Sequence, residues 1–562
     1  MSKRYSKILI SAVIATALCQ LGMMLTCIDA DSVMHMPTIK NTAVVFVVAL
    51  LFAIGTEVLF GQIIFYSKKC AAWLLLICFF LLLTTVQTFI HPIRASDGRI
   101  AYRYPELAVI ALVVYVFRLI SERKKPSFKG LIKKPDFREP SDVFLVIVII
   151  AGITMALLLP RKTVVCWDDD EHYRETLFFS EGIYTAFDDT DVNLIYGWKD
   201  DAAENLSELE NNGSLYLEAN ALAFRPERTG QLGFVAGIWA GRALNLNANG
   251  VFVAGRLGGL FLYALIMYCA IKRLKNGKML LAIIGLSPIA VFMSVGYSYD
   301  SWLLAFMSLA FSYFFGSLQR ETEELSYREI AIMLGGMFIG VFPKMPYIFM
   351  MLFFLLMPKQ KFVDAKQQKI YIATIISCIV FTFVYTLIAS LNSGHVGDYR
   401  GGNDINAYEQ LAKVIANPWS YLVVLAGFLK SYFGSAGYLS SFAHLGETKA
   451  YLVLVFAMLL AALTDNETKT PLMRGNIRIS EIAIAVLQIA MVATIFYLVY
   501  TPVGADEILG CQTRYKLQLI FPFMMCLLSG WIVIPEKKRR ITSICWFVIS
   551  SGCLAYNIIS LL

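Results

Sequence analysis

SERKKPSFKGLIKKPDFREPSDVFLVIVIIAGITMALLLPRKTVVCWDDDEHYR, residues 121–174, sets three kinds of chain side by side. Residues 121–138 are the most basic segment of the sequence, Val143–Leu159 is an uninterrupted apolar run, and Cys166–Arg174 is the densest acidic constellation. An apolar run of that length reaches the lower limit for a helix crossing the hydrocarbon core. Lys and Arg stay preferentially on the cytoplasmic side of such a helix. The span therefore runs outward and delivers the acidic run to the extracytoplasmic face.

The rest of the chain repeats this grammar. It holds 562 residues, 58% hydrophobic and only 16% charged, against roughly a quarter charged in soluble domains. The mean hydropathy of +0.63 agrees. The net charge of +8 is not a nucleic-acid signal, because its Lys and Arg sit in short runs between apolar segments rather than in a basic stripe interleaved with aromatics. Apolar segments Ile8–Cys27, Val44–Tyr66, Ala71–Ile90 and Leu107–Ile120 precede the quoted stretch. After it come Val251–Ile271, Met279–Val295, Trp302–Leu318, a split pair Ile330–Phe342 and Met345–Met357, and Ile370–Leu391. Tyr451–Leu463, Ile482–Tyr500, Leu517–Ile534 and Ile541–Leu561 complete the set, with Trp419–Leu445 as an apolar segment broken by glycines and suited to a re-entrant hairpin.

These predict an all-α polytopic membrane protein of about 13–15 spans with its N-terminus in the cytoplasm. KRLKNGK, QRETEELSYRE, PKQKFVDAKQQK and PEKKRR alternate onto the inside provided that Gln231–Leu246, Gly-rich and carrying Arg242, lies at the interface instead of crossing. Residues 1–142 then form an N-terminal extension of four transmembrane helices and a basic loop, 143–535 a core with a large extracytoplasmic segment at 161–250, and 536–562 a C-terminal span. The chain resides in the cytoplasmic membrane, with its polar face outside.

That outer face gathers the residues able to do chemistry. Asp168 and Asp169, in CWDDDEHYR, repel one another and so suit either a general base or a divalent cation, Mg or Mn, between them; equally they suit an acidic cap on the helix that follows. Asp300 opens a span in GYSYDSW, where it caps the helix or orients a ligand. Lys344, between Pro343 and Pro346 in FPKMPYIF, either snorkels to the interface or serves a function, the default for a charge so close to hydrocarbon. Arg514 and Lys516, in GCQTRYK, stand outside against the charge rule, held by an outer-face acid or by an anionic ligand such as a lipid phosphate. Cys166 and Cys511 share this face, which leaves room for a disulfide. No CxxC pair occurs among the 11 cysteines, most of which lie inside apolar runs.

At these residues the chain resembles the bacterial membrane proteins grouped as domain of unknown function 2142, related to the GT-C-type membrane glycosyltransferases. DDDEHYRETLFFSEG is similar to the family's acidic pair, His and Gly through Asp168, Asp169, His172 and Gly182, with Arg174 one place early. SPIAVFMSVGYSYD resembles its Pro-to-Asp segment, ending at Asp300, and FPKMPY its Lys-x-x-Tyr stretch through Lys344 and Tyr347. GCQTRY resembles its Gly-x-Gln-Gly-Arg-Tyr box through Gly510, Gln512, Arg514 and Tyr515, with Thr513 where Gly is usual. The resemblance spans about residues 143–535 and implies a GT-C-like core. It implies transfer of a sugar from a polyprenyl-phosphate donor to a cell-surface glycan or glycolipid, with Asp168, Asp169 and His172 as the catalytic set. Arg174, Asp300, Lys344, Tyr347, Gln512, Arg514 and Tyr515 would bind substrate. A transporter or binding protein for lipid-linked saccharides is the alternative, needing the cations but no base.

Overall fold

The computed structural model describes residues 2–26, 39–60, 83, 139–159, 172–173, 175–176, 226–244, 246, 248–320, 323–393, 404–434, 439, 450–465, 475–527, 532 and 534–560. Those residues are helical or connecting, with no strand among them. The chain divides into two compact units, one of Met1–Phe137, Leu452–Pro471 and Leu527–Ile549, the other of Arg138–Tyr451, Leu472–Cys526 and Ser550–Leu562. In the first, α1 (Ser2–Thr26) and α2 (Ile39–Phe60) pair through small residues, Ala12, Ala15 and Cys19 against Val45 and Ala49. Short side chains let two apolar helices approach where lipid supplies no hydrophobic drive between them.

Among the described residues, seven helices are long and apolar enough to cross a membrane, or up to nine if each of two bent pairs is one span. The expected spans Ala71–Ile90, apart from Leu83, and Leu107–Ile120 lie outside the described residues, as do 161–171 and 177–225 of the expected outer segment. The expected span Met279–Val295 is built of two helices meeting at 56°, because Pro288 removes an N–H from the ladder.

The second unit is built on α5 (Ala248–Arg273), which packs against α3 (Pro140–Leu158), α4 (Leu232–Ala243) and α8 (Asp300–Leu318). Between α5 and α8 lie α6 (Lys278–Gly285) and α7 (Pro288–Val295). With 12 residues, and hence about 18 Å of rise, α4 is too short to span. Rather than lying free at the interface, it forms a close hairpin with α5. A Cβ on Gly237 would stand 2.1 Å from the Ala254 carbonyl oxygen, and one on Gly258 2.3 Å from that of Gly233. The expected result for Gly237→Ala is therefore a hairpin forced apart, with a loss of about 2–4 kcal/mol in detergent unfolding.

After α8 the chain returns as α9 (Tyr327–Gly340), and then as a 15-residue 3-10 segment, Phe342–Leu356. The segment is kinked at Lys344, whose dihedrals are not helical. It packs against α10 (Ala365–Ser393) and α14 (Gly475–Val499). Between them in the chain come α11 (Ala407–Ala416) and α12 (Pro418–Gly434), bent by 108° at Pro418; α13 (Tyr451–Thr464) follows in sequence and, apart from Tyr451, belongs to the first unit. Beyond α14 lie α15 (Leu517–Met525) and α16 (Glu536–Ile559).

Three of the expected inner loops meet at one end of the bundle. Lys278 pairs with Glu139 at 2.6 Å, and Arg273 and Arg320 share Glu329, which also closes the capping box with Ser326. Gln319 accepts from the Lys275 and Asn276 amides at 2.7 and 3.0 Å, and Leu325 N–H donates to the Lys361 carbonyl at 2.7 Å. Asp300 lies at the opposite end of α8, 19 residues and thus about 28 Å away.

Candidate functional site

At that opposite end, two cations from distant parts of the chain converge on one acid. Lys344 Nζ donates to Asp300 Oδ1 at 2.8 Å, and Arg514 Nε stands 3.5 Å from Asp300 Oδ2. Asp300 is fully buried and Arg514 is 1% exposed. Charges so placed persist only when paired, since desolvating an isolated ion costs several kcal/mol or more. Among these three, one negative charge faces two positive ones.

Each side chain is aimed by a local irregularity. Asp300 follows the turn Gly296–Tyr299, where Tyr297 has φ 55°, a left-handed conformation rare for a bulky residue. Packing over-determines it. The Tyr297 ring lies against Phe234, Phe252 and Tyr173 at 5.0, 5.3 and 4.8 Å, and its hydroxyl donates to the Phe252 carbonyl at 2.7 Å. Lys344 leaves helical geometry at φ −140°, ψ 73°, between Pro343 and Pro346. Its ammonium rests 3.6 Å from the Tyr515 ring centre and 5.2 Å from that of Tyr299, a cation–π cage that holds the charge near hydrocarbon.

Arg514 sits in the 3-10 turn Thr513–Lys516, begun at Gln512 and preceded by Gly510 at φ 77°. A Cβ on Gly510 would fall 2.4 Å from the Tyr500 ring, so the glycine is needed both for its dihedral and for its closeness. Tyr347 ties this turn to the 3-10 segment by donating its hydroxyl to the Tyr515 carbonyl. Burial pushes the Lys516 ammonium down to about 8 and the Cys511 thiol up to about 12. Cys511 is a free thiol, and Cys166, with which the sequence left room for a disulfide, lies outside the described residues.

Because Lys516 has a folded pKa below its ordinary 10.5, charge on it opposes folding below pH 8, and that cost is relieved as pH rises from about 8 toward 10.5. Stability should rise across that window. In Lys516→Met the rise should vanish and the unfolding temperature at neutral pH should increase, as read by detergent melts at stepped pH.

Of the residues singled out from sequence, Asp300, Lys344, Tyr347, Arg514 and Tyr515 are brought together, and Gln512 begins their turn. His172 joins at the edge. It is buried, packs edge-on against Tyr299 at 4.6 Å, and neither ring nitrogen has a hydrogen bond among the described residues. Its turn is anchored by Thr176, whose hydroxyl donates to the His172 carbonyl at 2.6 Å and lies 3.0 Å from Gln231 Oε1. Asp168, Asp169 and Arg174 lie outside the described residues, and with the first two lies the suggested metal site. Among the described residues no cluster of His, Cys, Asp or Glu could hold a metal ion.

Sequence reasoning missed Gly230 and Arg256. A Cβ on Gly230 would stand 2.5 Å from Tyr299 Cβ and 2.8 Å from Pro343 Cγ, so this glycine lets the turns bearing Asp300 and Lys344 close together. Its signal was a lone Arg-Thr-Gly at the edge of a polar segment. Arg256 is fully buried in α5, donates to the Ala156 carbonyl at 3.4 Å near the end of α3, and lies 4.4 Å over the Phe252 ring. A charge inside a candidate span was the signal there.

A family model described as predicted membrane protein (DUF2142) matches residues 234–527. The match takes in Asp300, Lys344, Tyr347, Gln512, Arg514 and Tyr515, and begins after Asp168, Asp169, His172 and Arg174. No curated protein and no solved structure matches the chain.

Proposed function

The chain belongs to the DUF2142 family of predicted membrane proteins, and from that membership and the cation site we propose that it transfers a sugar from a polyprenyl-phosphate donor to a cell-surface glycan or glycolipid. The observation that carries this reading is Asp300 holding both Lys344 and Arg514, at 2.8 and 3.5 Å. Two buried cations gathered on one acid suit an anion, and a phosphate on a lipid is the anion that arrives at the end of a membrane helix. The reaction class comes from the likeness to GT-C-type glycosyltransferases.

The cation site lies at the end of α8 opposite the basic loops. With those loops in the cytoplasm, as their charge favours, the reaction faces outward. The acceptor hydroxyl attacks the anomeric carbon, the bond from that carbon to the phosphate oxygen breaks, and the hydroxyl proton passes to Asp168 or Asp169. Lys344 and Arg514 neutralise the charge developing on the departing lipid phosphate, the step at which fixed cations lower a barrier most. Asp300 holds the two cations in place and is a positioning residue. Asp169 precedes His172 by three residues, so at most about 11 Å of chain separates their Cα atoms, and His172 packs on the Tyr299 that flanks Lys344.

Because Asp300 is engaged by cations, the carboxylate that takes a proton must come from elsewhere, and this separates the proposal from a carrier of lipid-linked saccharides. The full-length protein in nanodiscs, given a polyprenyl-phosphate sugar and acceptor glycan, should lose transfer in Asp168→Asn or Asp169→Asn while still binding polyprenyl phosphate. Unchanged transfer in both would remove the assigned base and leave the binding reading.

A further inference from the structure

We infer that a groove along α10 holds the isoprenoid chain of the donor lipid, an inference that rests on the cation site being a phosphate site. The groove, about 440 Å³, is lined by Ile370, Ala373, Thr374, Ser377, Cys378 and Phe381 with Phe338 of α9 across from them. The α10 positions recur every three or four residues and so form one stripe of the helix. In its middle the side chains are short, and a trench opens where larger residues would have met α9. Ile370 and Phe381 are exposed at its rim, so it opens sideways toward lipid.

Continuity with the cation site argues for this occupant. At its upper end Phe338 packs edge-on against Phe342 at 4.8 Å, two residues before Lys344, and against Phe381 at 5.8 Å. Thr386, one turn beyond Phe381 but on another face of α10, donates its hydroxyl to Met345 Sδ at 3.4 Å and so marks the level of Lys344 along the helix. From Thr386 down to Ile370 the helix covers about 24 Å. One leaflet of the hydrocarbon core is about 15 Å deep. A chain with its phosphate at Lys344 that followed this groove would pass the midplane. An ordinary acyl chain ends near there, whereas a polyprenyl chain continues.

The test uses the full-length protein in phosphatidylcholine nanodiscs, with alkylation of Cys378 by N-ethylmaleimide followed on its own peptide by mass spectrometry. Undecaprenyl phosphate should slow that alkylation about tenfold, while geranyl phosphate, too short to reach Cys378, and phosphatidylglycerol should leave it unchanged. In Ser377→Trp, which fills the trench, the Kd for undecaprenyl phosphate should rise about tenfold toward that of geranyl phosphate. The Kd for geranyl phosphate should not move, which also reports that the variant is folded. Equal protection by all three lipids, or by none, would overturn the groove assignment. Protection that persists undiminished in Lys344→Ala would leave the groove standing and remove the phosphate site instead.

Discussion

Replacing Asp300 by Asn should destabilise the protein by about 3–5 kcal/mol, the largest stability effect expected of any single change at the site, and abolish the proposed sugar transfer. The substitution keeps the shape and removes only the charge. Lys344 and Arg514 would then face each other across a buried amide, with no carboxylate between them. An uncompensated buried charge costs far more than the net worth of the pair it came from. A second variant separates balance from function. Asp300→Asn combined with Lys344→Met removes the repulsion between the two cations but leaves Arg514 without that carboxylate, and should recover only part of the lost stability, measured as a detergent melting temperature. It should recover none of the binding to polyprenyl phosphate. If the double variant bound the lipid as tightly as the parent, the cation pair would be a structural brace and nothing more.

That pairing shows where sequence sufficed and where it stopped. Asp300, Lys344 and Arg514 were legible one by one, because a charge at the end of an apolar run has few cheap explanations. Their sharing one end of the bundle was legible too, from the alternation of basic loops. What the sequence left open was each residue's partner. Asp300 read equally as a helix cap, yet no side-chain cap bond forms at Tyr299 and the carboxylate goes to two cations 44 and 214 residues away in the chain. Contacts over such separations depend on how the helices pack, and the packing here turns on glycines whose role is invisible in a single sequence. Gly230 looks like any loop glycine until Tyr299 and Pro343 are seen closing on it.

The break in Met279–Val295 has the same character. Hydropathy counts apolar residues and is blind to a proline that bends the helix by 56°. The 3-10 course of Phe342–Leu356 was equally hidden, since an apolar run of that composition looks like a short α-helix. Pro343 and Pro346 marked the departure at Lys344, and the sequence reading used them to split two segments there. They did not reveal that the second segment runs on as a 3-10 helix rather than an α-helix.

Arg514→Lys is the change expected to cost most in rate. Sugar transfer should fall by about two to three orders of magnitude, the loss seen when a fixed donor to a developing anion is removed, while the melting temperature stays within a few degrees of the parent. Asp300 engages the guanidinium through its Nε edge, and the flat fork of Arg carries further donors on its other edges. A lysine at this position keeps the charge and can still pair with Asp300. Its three donors all sit on one nitrogen, so it cannot span the separation between Asp300 and a phosphate oxygen lying off another edge of the guanidinium. The split between stability and rate is therefore the signature to look for. Steady-state transfer measured beside a thermal melt on the same preparation gives both numbers. A lysine variant that transferred sugar at the parental rate would show that charge alone is required at position 514, and the geometric role given to the guanidinium would fall.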